Sequence, residues 1–244
     1  MGIGPFESCC ACRKLVAGCA PMIFPRRIEA VLFDMDGLLI DTESISRDAI
    51  LAEAEARGCP MPLSLFLQMV GLPGHACDEL TRSHFGGNLD LAAYNAEVDR
   101  RVTERLAAGV ALKEGVTELL DLLDEMNLSR AIVTSSSRKT VEAHLGSSGI
   151  LSRFAAVIAQ GDYDHGKPYP DPFLRAAEVL GKAPAQCLAL EDSYNGIRAA
   201  HAAGTMVVMI PDLLEPTDEM HGLCVAIADT LHDVRNALLG AKRP

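Results

Sequence analysis

Apolar positions along the chain follow two periods, and the change between them divides the sequence. Residues 30–33, Ala-Val-Leu-Phe, are apolar without interruption and partly β-branched, as in a strand buried on both faces of a parallel sheet. The run stops at Asp34, Asp36 and Gly37, where glycine permits a sharp turn. Thr42 is placed to cap a helix running to about Arg57, with Asp41 and Glu43 favourable at its positive end and Gly58 just past its close. A second apolar segment, Leu63 to Val70, ends at Gly71-Leu72-Pro73-Gly74. Leu91, Tyr94, Val98, Val102 and Leu106 then recur at helical spacing. Nothing in residues 44–111 reads as a strand, so this stretch is an all-helical insertion. From Val116 onward helix and strand alternate, with strands over 131–134, 155–159, 186–190 and 205–210 and helices near 138–148, 172–181 and 195–203. Such alternation predicts right-handed crossovers and an α/β domain with a parallel sheet covered on both faces.

At 244 residues the chain is long enough for a full α/β core with a modest insertion. Its formal net charge of -11 and lack of Lys/Arg clusters argue against a nucleic-acid surface. A phosphate site must then be local, built from a few cations and a metal. No stretch approaches the length of uninterrupted apolar sequence that a transmembrane helix needs. Cys59, Cys77, Cys187 and Cys224 are scattered and read as buried thiols in a reducing cytosol. Cys9 and Cys12 have zinc-like spacing but no second Cys/His pair at a suitable distance. Val16-Ala17-Gly18-Cys19 looks like a lipoprotein cleavage site, yet no long apolar segment precedes it, so we expect a cytoplasmic protein. Residues 1–21 read as a disordered extension, with Met22 opening the folded domain.

Candidate chemistry collects where strands end. On an extended backbone residues i and i+2 share a face, roughly 7 Å apart, so Asp34 and Asp36 can address one small substrate or metal. If the sheet is parallel, the other strand ends gather on the same edge. After 131–133 come Thr134-Ser135-Ser136-Ser137, hydroxyls that either hold a phosphoryl group or merely cap a helix. After 155–159 comes Lys167-Pro168-Tyr169-Pro170-Asp171-Pro172, in which Asp171 and Pro172 form a natural N-cap and first helical position. A lone loop lysine is ordinarily solvated. After 186–190 comes Glu191-Asp192, a second acidic pair that either favours the next helix N-terminus or joins Asp34 and Asp36 around a hard divalent cation.

The phrase Phe33-Asp-Met-Asp-Gly-Leu-Leu-Ile-Asp-Thr-Glu43 resembles the first motif of the haloacid dehalogenase-like hydrolases, specifically their magnesium-dependent phosphatases and phosphomutases with a helical cap. Ser135, Lys167-Pro-x-Pro-Asp171 and Glu191-Asp192 match the later motifs in family order, over roughly residues 28–232. The resemblance implies a Rossmann-like core over 22–43 and 112–244, with a helical cap over 44–111. It makes Asp34 the nucleophile and Asp36 the general acid/base, with Ser135 and Ser136 at the phosphoryl group and Lys167 beside both. Mg2+ would be held by Asp34, Asp36 through its backbone carbonyl, and Asp192, with Glu191 in the inner or outer shell. The implied partner is a small phosphorylated metabolite met by a monomer or homodimer. Gly71, Arg47 and His75 are candidate specificity residues. Dehalogenases need neither Asp36 nor a metal, and phosphonate hydrolases use a cap lysine, which 44–111 lacks. In β-phosphoglucomutases a histidine and an arginine of the cap anchor substrate; Ser46 and Gly74 stand at those positions here. Ser137 and Arg138 remain as possible contacts to a distal phosphate. A non-catalytic module on the same fold would be expected to lose some of these acids or Lys167, and all are present.

Overall fold

Residues 30–33 make no contact with solvent at all, and the molecule is layered around them. The computed structural model describes residues 22–70, 72, 74–86, 89–107 and 109–241; the extension expected at 1–21, and Gly71, lie outside the described residues. In chain order the elements are β1 (Ala30–Phe33), α1 (Thr42–Ala56), α2 (Leu63–Met69), α3 (Gly74–Phe85), α4 (Leu91–Ala107), α5 (Val116–Glu125), β2 (Ser129–Ser137), α6 (Arg138–Leu145), β3 (Ala156–Gln160), α7 (Asp171–Val179), β4 (Cys187–Glu191), α8 (Tyr194–Ala202), β5 (Met206–Met209), α9 (Asp218–Leu223), β6 (Ala226–Ile227) and α10 (Leu231–Ala241). The strands form one sheet in the order β3-β2-β1-β4-β5-β6, and every pairing is parallel. The fold is therefore α/β, as the alternation predicts.

Alternate side chains of β1 point into different layers. Val31 and Phe33 pack with Leu119 and Leu123 of α5, Val141 of α6 and Val234 of α10. Ala30 and Leu32 pack with Phe173 of α7, Ile197 of α8 and Met220 of α9. Period-2 alternation thus supplies both faces of the sheet with apolar groups, which is why the strand reads as a continuous apolar run. Helices α1 to α3 share a further apolar cluster centred on Ala54, Met61, Phe66 and Met69, against which Leu213 from beyond β5 also packs. The segments that leave and return from these helices are tied together by an antiparallel bridge, Ile40 to Leu112.

Several local expectations are corrected. β2 runs on through Ser137, with a register shift after Val133 and a pairing of Ser137 with Gln160. The hydroxyl cluster therefore lies on a strand extension, and only Ser137 caps α6, accepting from the Thr140 N–H. Asp41, rather than Thr42, caps α1 by accepting from the Ser44 N–H. The N-cap of α7 is Pro170, while Asp171 accepts from His165. Helix α3 escaped the periodicity because among its described side chains only Thr81 is buried; β6 is two residues long. Among the described residues no helix is long and apolar enough to cross a membrane, and Cys59, Cys77, Cys187 and Cys224 are free thiols.

Phe33 is fully buried, with its ring edge-on to Phe154 at 5.5 Å between centroids. Phe33→Ala should cost about 3–5 kcal/mol in urea unfolding. A loss under about 1 kcal/mol would show that the central strand does not depend on this packing.

Candidate active site

The chain runs from β1 outward to β2 and β3, then returns to the other side of β1 as β4, β5 and β6. The strand order therefore reverses between β1 and β4, and in such sheets the crevice outside the carboxyl ends at the reversal is where ligands bind. Phe33 is paired with Leu190, and the Asp34 N–H donates to the Leu190 carbonyl at 3.0 Å. Register alone therefore sets Asp34 beside Glu191 and Asp192. Carboxylate oxygens of these three buried residues lie within 4.8 Å of one another.

Lys167 reaches this cluster from the loop after β3. Its buried ammonium donates to Asp34, to Glu191 Oε1 at 2.5 Å and to the Val133 carbonyl at 3.0 Å. Glu191 is further fixed on its other oxygen by the Ser193 hydroxyl at 3.0 Å and the Ser193 N–H at 3.3 Å. Both Glu191 oxygens are thus occupied. A side chain at Gly196 would collide with that carboxylate, so the close approach of α8 requires glycine there. Ser193 also caps α8 by accepting from the Gly196 N–H.

Asp36 stands apart from the cluster. Its carboxylate accepts from Thr42 Oγ1 at 2.9 Å and Ser136 Oγ at 2.8 Å, so the four acids expected together are three plus one. Ser136, expected near a phosphoryl group, is a partner of Asp36 in the structure. Ser135 is exposed just past the apolar part of β2. Arg138 is paired with Asp162 and the Val157 carbonyl, and Arg47 with its neighbour Asp48. His75 lies exposed on α3. The sequence reading missed Glu43, Lys113 and Asp212. Asp212 lies just past β5, so the rule that brought Asp192 to notice, that reactive groups sit beyond the strand ends, could have found it.

Charge at the cluster is unbalanced, with three carboxylates against one ammonium. Burial pushes Asp34 up to about 8 despite the opposing pull of Lys167, and Glu191 and Asp36 add to the rise. Asp192 is raised well above the ordinary range, by burial first and then by Asp34 and Glu191. Burial alone would lower Lys167, but Asp34 and Glu191 outweigh it and hold the lysine charged. Glu43 rises to about 7, through burial and then Asp36, Asp212 and Asp41. The donor set fits a hard divalent cation, being oxygen only, and Asp192 Oδ1 is buried without any hydrogen-bond partner. Gly37 suits such a cradle, since a Cβ there would overlap Asp192 Oδ2.

Fold and site together define a doubly wound α/β protein with a cluster of buried carboxylates at the reversal point of its sheet. A family model described as haloacid dehalogenase-like hydrolase matches residues 28–204, and the chain belongs to that family. YhcW of Bacillus subtilis (strain 168), whose name calls it a phosphatase, is 32% identical over 191 residues, spanning 78% of this chain and 86% of YhcW. Protein CbbY of Rhodobacter capsulatus is 35% identical over 196 residues, spanning 75% and 86%. A crystal structure of a CbbY mutant from Rhodobacter sphaeroides with xylulose-(1,5)bisphosphate has a TM-score of 0.66 at 26% identity, covering 84% of this chain and 95% of that one. The chain is accordingly an enzyme of the family's phosphatase kind.

A pH dependence arises from Asp34. Between its ordinary value of 3.8 and about 8, the folded, cation-free protein keeps a proton that the unfolded chain has released. The folded state binds more protons, so its stability falls as pH climbs through that interval. A bound divalent cation removes this penalty. The rise in melting temperature on adding magnesium should therefore grow from roughly pH 5 to roughly pH 8. A rise that shrinks with pH would count against the cluster as a cation site.

Proposed function

We propose that the protein is a magnesium-dependent phosphatase that hydrolyses a small phosphomonoester, a sugar phosphate or similar metabolite, through an aspartyl-phosphate on Asp34. The observation that carries this reading is the buried clamp of Lys167 on Asp34 and Glu191, beside the unpartnered Asp192. Magnesium bound by the Asp34 and Asp192 carboxylates and the Asp36 backbone carbonyl would neutralise phosphoryl oxygens during transfer. Lys167 holds one Asp34 oxygen, orients the carboxylate for in-line attack and offsets repulsion between it and the incoming anion. Glu191, with both oxygens engaged, acts as the anchor of Lys167 and belongs to the outer shell of the cation. Asp36, aimed by Thr42 and Ser136, gives a proton to the leaving alcohol and then takes one from the water that cleaves the acyl phosphate. The exposed Ser135, which shares a side-chain hydrogen bond with Tyr163, meets the phosphoryl group in this reading.

Residues 44–111 serve as a cap and residues 22–43 with 112–244 as the core in this reading. The apolar cluster shared by α1 to α3, distinct from the two that line the sheet, supports that division, with Leu213 as the core residue that packs against it. Thr42 heads α1 while holding Asp36, so the acid/base is linked to the cap at its root. A reducing, cytoplasmic setting suits the four free thiols.

The cap also bears on substrate class. A cavity of about 260 Å³ lies among α1 to α4, with Glu43, Ser46, Asp78 and Tyr94 among its polar lining groups. No described lining residue is cationic. A second phosphate would meet two carboxylates there and no cation to balance it, so the cavity favours a neutral, hydroxyl-bearing remainder on a monophosphate. That weighs against a mutase, which must grip a bisphosphate, and Ser46 stands where such an enzyme has its histidine.

Asp34→Asn should lower orthophosphate release by roughly three orders of magnitude or more, with the melting temperature retained. Substantial turnover in that variant would remove Asp34 from its role. Sugar monophosphates with magnesium should release orthophosphate, whereas β-glucose 1-phosphate and glucose 6-phosphate should not interconvert, even with a bisphosphate primer. Primer-dependent interconversion faster than phosphate release would make the protein a mutase.

A further inference from the structure

The loop after β5 places one more buried acid against the site. The Ile210 N–H donates to the Glu191 carbonyl at 2.7 Å, which holds the end of β5 beside the end of β4. Two residues on, Asp212 accepts from Lys113 Nζ through Oδ1 at 2.6 Å, with only 10% of its side chain exposed. Its other oxygen, Oδ2, is buried and has no hydrogen-bond partner. That oxygen is aimed at the bare α-carbon of Gly37, where a Cβ would come within 3.4 Å of it and would overlap Asp192 Oδ2 from another side. Asp192 and Asp212 thus flank the same notch in the backbone, Asp212 with its unpartnered Oδ2 and Asp192 with Oδ2, its own unpartnered oxygen being Oδ1. Glu43 is raised by Asp36, Asp212 and Asp41, and Asp192 is raised by Asp34, Glu191 and Glu43 against the pull of Lys167, so the surroundings are mostly acidic, with Lys113 already committed to Oδ1.

A buried carboxylate oxygen among other carboxylates needs a donor. Asp212 does not join the group of Asp34, Glu191 and Asp192, whose oxygens meet one another, so it is set back from direct coordination. Water bound to a cation presents its protons outward to a second ring of acceptors, and an acceptor in that ring fixes the ion's hydration.

We propose that Asp212 is a positioning residue for the site's divalent cation, its Oδ2 accepting a hydrogen bond from a water on the ion while Lys113 fixes Oδ1. This rests on the reading of the site as a magnesium site. Lys113 lies on the segment returning from the cap helices, where its own N–H donates to the Leu39 carbonyl at 3.0 Å. Hydration of the cation is therefore tied to the root of the cap.

Calorimetric titration of the substrate-free protein with magnesium chloride tests this. In Asp212→Asn the amide oxygen keeps Lys113 and the NH2 turns to the cavity, a donor where an acceptor is needed. Magnesium affinity should fall about 10-fold or more. Lys113→Met leaves the acid but frees it to rotate, and affinity should fall in the same direction by less. Circular dichroism and cation-free melting temperature separate this from misfolding; should Asp212→Asn not fold, Lys113→Met decides alone. Wild-type affinity in Asp212→Asn, or in Lys113→Met where that variant decides, would overturn the proposal. A wild-type protein that binds no magnesium would overturn the magnesium reading itself, and this inference with it.

Discussion

A single buried ammonium holds the working edge of this sheet together. Lys167 bonds to Asp34 after β1, to the Val133 carbonyl on β2 and to Glu191 at the end of β4, so three adjacent strands share one cation. Burying that charge is tolerable because its hydrogen-bond partners are all oxygens, two of them carboxyl groups, and the Phe173 ring lies beneath it at 5.4 Å. The same arrangement leaves Asp192 outside the neutralised group. An excess of negative charge at a dry sheet edge is the condition under which a hard cation and a phosphoryl oxygen become favourable company.

Glu191 illustrates how the surroundings divide two adjacent acids between different tasks. Ser193 and Lys167 consume both of its oxygens, and Gly196 lets α8 come close enough to seal it from water. Asp192, one residue later, keeps an oxygen with no partner. Adjacent acids thus differ because one faces hydroxyl and ammonium donors and the other keeps Oδ1 buried without one.

The sequence made the sheet legible because buried parallel strands advertise themselves as apolar runs, and the reactive groups legible because they come directly after those runs. Asp34, Glu191 and Asp192 come directly after such runs, whereas Lys167, on a loop beyond β3, stands out only through the likeness of Lys-Pro-x-Pro-Asp to the family's motif. The features that stayed hidden depend on partners far along the chain. Asp36 is turned from the other acids by Ser136, separated from it by 100 positions, and Asp212 is fixed by Lys113 from 99 positions away. Neither pairing leaves a local pattern. Arg138, plausible as a substrate contact on sequence grounds, is instead paired with Asp162 beside β3. Helix α3 was missed for an opposite reason, since a helix that buries a single described residue has no stripe to read.

The central place of β1 in the sheet also has a cost in time. β1 comes first among the strands, yet its hydrogen-bonding neighbours are β2 and β4, the first of which is separated from it by the whole helical insertion. At about 5–20 residues per second of synthesis, a fully apolar strand must wait on the order of ten seconds for its first partner. Helices α1 to α4 are synthesised during that interval, but the apolar cluster of α1 to α3 also waits for Leu213, which follows β5. On the ribosome, then, β1 is an apolar segment without a strand partner until β2 emerges, the segment a chaperone would have to shield.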